Sequence, residues 1–275
     1  MSLCKVTAMS EENANENSSF KDLIGLMARL RGPDGCPWDK KQTPESLKPF
    51  LIEECYEVID ALDEAEPAKI RDELGDLLFQ IVFHSRIAEE RGEFSIQDVI
   101  TAIVEKMTRR HPHVFGADTL STDKEVLAQW EIIKAKEKAH QDRTSILEGV
   151  PRNLPSLLRA HRVQEKASRA GFDWNHLNEA LPKLDEEIAE FKETLQSEDA
   201  GRIEDELGDV FFTLVNISRF VGVNPEDALR KTISKFIDRF RHIEEYAANS
   251  GRTLNDMSIE EMERLWQESK TKQKP

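Results

Sequence analysis

An all-α protein built from two copies of one helical unit is what this chain predicts, and three observations lead there. Apolar residues recur at the 3.6-residue spacing of an amphipathic helix, at Leu51, Cys55, Val58 and Leu62 and again at Ile70, Leu74, Leu77, Leu78 and Ile81. No stretch sustains the period-two alternation of a half-buried strand. One thirteen-residue segment is written nearly twice, as RDELGDLLFQIVF from Arg71 to Phe83 and as EDELGDVFFTLVN from Glu204 to Asn216.

The punctuation of the chain fits helices in order. Residues 1–18, with SEENANENSS, are polar and aperiodic and read as a disordered lead. Thr43-Pro44 opens a helix, Gly92 closes the next, and Ser95 caps another. Near LEGVPRNLP, two prolines and a glycine interrupt the helical pattern and place a linker over 147–155. Beyond it, Leu184, Ile188, Phe191 and Leu195 form one apolar stripe, and Ile203, Leu207, Val210, Phe211 and Leu214 form another. SIEE at Ser258 reads as the capping box of a last helix. The expected organisation is a first unit over 19–146 and a second over 156–275. At an offset of 133, Glu53, Glu54, Glu57, Glu73, Asp76 and Arg86 pair with Glu186, Glu187, Glu190, Glu206, Asp209 and Arg219. The flanks repeat as well: GCPWD at Gly35 answers GFDWN at Gly171, Lys106 and Arg110 answer Lys235 and Arg239, and Trp130 with Lys134 answers Trp266 with Lys270.

Composition excludes several classes. The longest apolar runs are a few residues, far short of the roughly 20 that cross a bilayer, so no membrane segment is expected and the cytoplasm is the default compartment. Cys4, Cys36 and Cys55 are sparse and include no CxxC, which leaves neither a disulfide framework nor a zinc site; they read as free thiols. A net charge of -15 opposes binding to DNA or RNA and favours cations.

The acids carry the chemistry. On helical wheels Lys183, Glu187, Glu190 and Thr194 share a stripe, as do Glu206, Asp209, Thr213 and Asn216. Each helix thus offers two acids at i, i+3, which repel by a few tenths of a kcal/mol in water and by more where solvent is excluded. Two such helices packed antiparallel gather four carboxylates, an arrangement that favours a hard cation such as Mg²⁺ or Mn²⁺. A charge run is ordinarily the solvated face of a helix. Here the same ExxE and ExxD, equally spaced, occur in both units. Gly75 and Gly208, costing about 1 kcal/mol each against alanine inside a helix, imply a close helix contact beside the acids.

EExxE (Glu53 to Glu57, Glu186 to Glu190) followed by ExxD (Glu73 to Asp76, Glu206 to Asp209) resembles the signature of the all-α nucleoside triphosphate pyrophosphohydrolases. With GCPWDKKQT, ELGDLLFQIVFH, RRHPHVF and GFDW, the tandem arrangement is similar to that of the two-domain bacterial MazG family over roughly residues 19–271. The resemblance implies helical-bundle domains that dimerise into four-helix-bundle-like cores, and Mg²⁺-dependent cleavage of nucleoside triphosphates between the α and β phosphorus, giving the monophosphate and pyrophosphate in nucleotide-pool regulation or house-cleaning. It assigns the metal to Glu187, Glu190, Glu206 and Asp209, and in the first unit to Glu54, Glu57, Glu73 and Asp76. Glu186 would orient or deprotonate the attacking water. Lys183, Lys235 and Arg239 would neutralise the triphosphate, Trp266 would meet base or ribose, and Asn216 would complete the nucleotide-binding set with Glu187.

The units differ where the first has Phe50 and Phe83 against Lys183 and Asn216, so the second is expected to be the main active site. A homodimer is expected too, because so few helices per unit leave a two-helix acidic layer uncovered. His111 and His113 in RRHPHVF read as loop or helix-end residues rather than metal ligands. The ExxH of Glu137 to His140 lacks the second copy that a ferritin-like di-iron centre needs. The competing class is a non-catalytic, metal-stabilised regulatory partner of a toxin–antitoxin or stress-response system, whose acidic surface suits a basic protein.

Overall fold

The computed structural model describes residues 18–116, 120–136, 145–196 and 199–272. Almost all of the expected polar lead, together with Glu137 to His140 and Cys4, lies outside them. The described residues form helices and no strand. Contacts divide the chain into two units, Met1–Glu137 and Lys138–Pro275.

In the first unit the helices are α1 (Phe20–Arg31), α2 (Pro37–Lys41), α3 (Pro44–Glu64), α4 (Pro67–Glu90), α5 (Ile96–Arg110), α6 (Pro112–Phe115) and α7 (Asp123–Lys136). Local chemistry sets their ends. Ser19, Thr43 and Ser95 each cap a helix in a reciprocal box with Asp22, Ser46 and Asp98, and Pro44 occupies the first turn of α3. Gly92 ends α4 at φ +71, a conformation that favours glycine. Gly35, in the turn after α1, must be glycine for another reason: a Cβ there would lie 2.2 Å from the Leu30 carbonyl oxygen. α3 and α4 form the central pair, and α1 closes one end over a core of Met27, Leu47, Val82, Phe83 and Ile87.

The second unit contains α8 (Ser156–Arg169), α9 (Leu177–Thr194), α10 (Ala200–Phe220), α11 (Pro225–Asn249), a 3₁₀ turn (Leu254–Asp256) and α12 (Ile259–Lys272). The stretch 147–155 lies within it, and Lys166 Nζ donates to the Glu148 carbonyl at 2.6 Å. Asp199 caps α10 and Asn224 caps α11. α9 pairs with α10, α11 pairs with α12, and α8 touches both α10 and α11. Gln164 on α8 donates to the Phe212 carbonyl at 2.8 Å. Ile243, Ala247, Met257 and Leu265 form a core between α11 and α12.

The stripes of α9 and α10 are as the wheel draws them: Ala180, Glu187 and Thr194 are buried on α9 and Thr213, Val215 and Asn216 on α10, while Leu207, Phe211 and Leu214 are exposed. The first unit repeats this at the equivalent Leu74, Leu78 and Ile81, all six lying between 38% and 51% exposed. The acidic stripes face each other, and much of the apolar stripe of α10 lies uncovered, whereas Leu184, Ile188 and Phe191 of α9 are half-buried. Two expectations need correction. A Cβ on Gly75 or Gly208 would meet nothing within 4 Å among the described residues, so neither glycine marks a close contact there. SIEE is half a capping box. Ser258 Oγ accepts from the Glu261 backbone N–H at 3.2 Å, but the Glu261 carboxylate is taken by Arg252 at 2.9 Å.

Candidate active site

In the second unit the five-residue connection between α9 and α10 sets the two helices antiparallel, with acids on both inner faces. Glu187 is buried, Glu206 half-buried and Glu190 exposed. Each presents a carboxylate oxygen within 4.8 Å of the others. Asp209, three residues beyond Glu206, is exposed and lies outside this trio. Lys183 Nζ sits 2.8 Å from Glu186 and 2.8 Å from Glu187. Those hydrogen bonds, to Glu186 first and then Glu187, hold its ammonium group well above the ordinary lysine range. Loss of water, then the negative charge of Glu206, pushes the Glu190 carboxyl upward against the opposing pull of Lys183. Asn216 is buried further along α10, and its Oδ1 has no hydrogen-bond partner among the described residues.

The remaining expected contacts sit on the other helix pair. Arg239 lies over the Trp266 ring at 5.6 Å, and Phe236 packs against the same ring at 4.9 Å. Lys235, one turn before Arg239, is exposed. α8 is the element that touches both pairs, and Lys183 meets the acids directly.

The first unit builds the same trio from Glu54, Glu57 and Glu73, again within 4.8 Å of one another. Asp76 is exposed, and its charge is felt at Glu54. Burial pushes the Glu54 carboxyl up, Gln80 opposes it, and Asp76 and Glu57 add to it. Phe50 meets Trp38 edge to face at 5.8 Å, and Phe83 belongs to the core with Arg31 over its ring. His111 terminates α5, its Nδ1 2.7 Å from the Met107 carbonyl and its ring 6.2 Å from Trp130. The side chain of Lys134 lies outside the described ones.

Two contacts were not foreseen. Arg219 pairs with Asp173, tying the GFDW loop to α10. Gln80 is buried against Glu54, with Nε2 donating at 3.4 Å and Oε1 left without a partner among the described residues. The sequence carried a signal for it: inside the repeated thirteen residues Gln80 stands where the second unit has Thr213.

Each trio of carboxylates offers an all-oxygen donor set that suits a hard divalent ion. The MazG nucleotide pyrophosphohydrolase domain matches residues 42–115 and 176–244, which contain both trios. A Thermotoga maritima protein called nucleoside triphosphate pyrophosphohydrolase/pyrophosphatase MazG is 47% identical over 91% of this chain and 95% of its own length. An Escherichia coli nucleoside triphosphate pyrophosphohydrolase is 42% identical over 90% of this chain and 95% of its own. The solved structure of a mazG-related protein from Thermotoga maritima, at 28% identity, covers 42% of this chain and 99% of that one with a TM-score of 0.37.

Proposed function

From the premise that this chain belongs to the MazG nucleotide pyrophosphohydrolase family and is a nucleoside triphosphate pyrophosphohydrolase, we propose that its second unit, residues 156–275, cleaves nucleoside or deoxynucleoside triphosphates between the α and β phosphorus with Mg²⁺. The observation that carries this assignment is Lys183. Its ammonium sits on the acidic trio, and the first unit has Phe50 in its place. A purely structural cation site has no use for a competing lysine, whereas a site that receives a polyanion does.

In this scheme Glu187, Glu190 and Glu206 hold the ion, with Asp209 completing the set. The ion supplies charge neutralisation on the phosphate oxygens and on the leaving pyrophosphate. The chain's own groups do the rest. Glu186 is exposed at the edge of the cluster and bonded to Lys183, placed to orient an attacking water and accept its proton. Lys183 exchanges its carboxylates for phosphate oxygens when substrate arrives. Lys235 and Arg239 add charge to the phosphate chain, Asn216 offers its unpaired oxygen, and Trp266 presents a ring to the base. The first unit, residues 19–146, keeps a metal trio at Glu54, Glu57 and Glu73 without the lysine and contributes little turnover.

We further propose a cytoplasmic homodimer. No helix among the described residues is long and apolar enough to cross a membrane. The uncovered stripes at Leu74, Leu78 and Ile81 and at Leu207, Phe211 and Leu214 support a second copy as their cover. Pyrophosphate release from a panel of triphosphates with Mg²⁺ tests the activity; no release from any of them rejects it in favour of a regulatory partner.

A further inference from the structure

The two acidic trios are neutralised differently. In the second unit Lys183 bonds Glu187 and Glu186, so an ammonium already occupies part of the ground that a metal ion would take. In the first unit no ion pair reaches Glu54, Glu57 or Glu73 among the described residues. Lys69 feels Glu73 but gives its Nζ to Glu64 at 2.8 Å. What faces the first trio instead is a neutral amide. Gln80 is 7% exposed, its Nε2 makes one long bond of 3.4 Å to Glu54, and its Oε1 is buried with no partner among the described residues. Half a turn about the last side-chain bond exchanges the amide ends and brings the carbonyl oxygen to the trio. Three carboxylates and an amide oxygen are a donor set for a hard cation. Thr213, at the equivalent position of the second unit, is too short to offer the same group.

Resting on the assignment of both trios as divalent-cation sites, we propose that the first unit holds a resident metal ion, bound in the absence of nucleotide and completed by Gln80, whereas the second unit takes its ion together with the triphosphate. The difference follows from charge. In the second unit an incoming cation must displace Lys183 from Glu187, and the ammonium then needs another anion. A triphosphate supplies one at the moment it delivers the metal. In the first unit Phe50 offers no competing charge, and the ion relieves the mutual repulsion of three carboxylates whose oxygens lie within 4.8 Å of one another. The duplicated domain thereby separates two uses of one motif: a permanent ion that fixes α3 against α4, and a transient ion that arrives with the substrate.

The test is titration of the full-length, nucleotide-free protein with Mn²⁺, following the free ion by electron paramagnetic resonance. Wild type should take up one Mn²⁺ per chain tightly, and a non-hydrolysable α,β-methylene triphosphate should bring in the second. Glu57→Gln should abolish the tight site and Glu190→Gln should leave it. Gln80→Leu should weaken it roughly 10-fold, the effect of removing a group that supports a metal ligand, and Gln80→Glu should restore it. Lys183→Phe should create a second tight site without nucleotide. Circular dichroism on each variant secures the fold. Two equal tight sites in wild type, none, or a tight site lost in Glu190→Gln but kept in Glu57→Gln would overturn the proposal. Pyrophosphate release assayed on the same samples separates the two ideas: turnover without nucleotide-free Mn²⁺ binding defeats the resident ion alone, and binding without turnover defeats the activity alone.

Discussion

Glu190 and Glu54 are the residues at which folding works against charge. Each has its carboxyl raised, by desolvation first and by neighbouring acids after it. A group whose folded pKa lies above its unfolded value favours the folded state most at pH below the unfolded value, and that contribution is lost as pH rises through the folded one. In metal-free protein these two acids therefore help least at neutral pH. Glu190→Gln should melt above wild type in EDTA at pH 7 and should gain less from added Mg²⁺. The gap should close on acidification through the raised Glu190 value, where the wild-type side chain is itself neutral. Thermal circular dichroism at several pH values, with and without Mg²⁺, measures this; equal responses to Mg²⁺ would mean that Glu190 is not a ligand. Lys183→Phe tests the cation at the same scale. It should raise KM for the triphosphate more than it lowers kcat, as expected if binding of the phosphates is its main role.

At the scale of the element, helix ends were legible in the sequence because capping is local chemistry. Thr43, Ser95 and the glycine at 92 act where short-range rules put them. Ser95→Ala should cost about 1 kcal/mol, the usual loss for a serine cap, read as a lower urea midpoint with an unchanged slope. The stripes were legible too, but what covers the apolar ones was not. Periodicity tells which residues share a face of a helix; what covers that face depends on partners that a wheel does not contain. Leu207, Phe211 and Leu214 share the apolar face of α10 and are exposed, while Thr213, Val215 and Asn216 are its buried residues. Ser258 shows the limit of a motif from the other side: its glutamate found a stronger partner in Arg252, nine residues back in the chain. Gln80 could be seen as a difference between the repeats, but its burial against Glu54 depends on the packing of α3 on α4.

On the scale of the whole molecule the duplication was visible because a repeat needs no knowledge of contacts. Its consequence is that whatever covers one unit's apolar stripe has an equivalent task in the other. Light scattering should return twice the chain mass at micromolar concentration. Phe211→Asp, which puts a charge on an exposed apolar position without touching the acids, should shift the equilibrium toward single chains; an unchanged mass would place the interface elsewhere. The two units' similar acids and different cations bear on function through one comparison, steady-state pyrophosphate release by Glu190→Gln and by Glu57→Gln, the same substitution at equivalent positions. Glu190→Gln should lower kcat by at least ~100-fold, because a metal ligand contributes several kcal/mol of charge stabilisation, while Glu57→Gln should keep most of the wild-type rate. The reverse order, or an equal loss of about half in each, would contradict the assignment of turnover to the second unit.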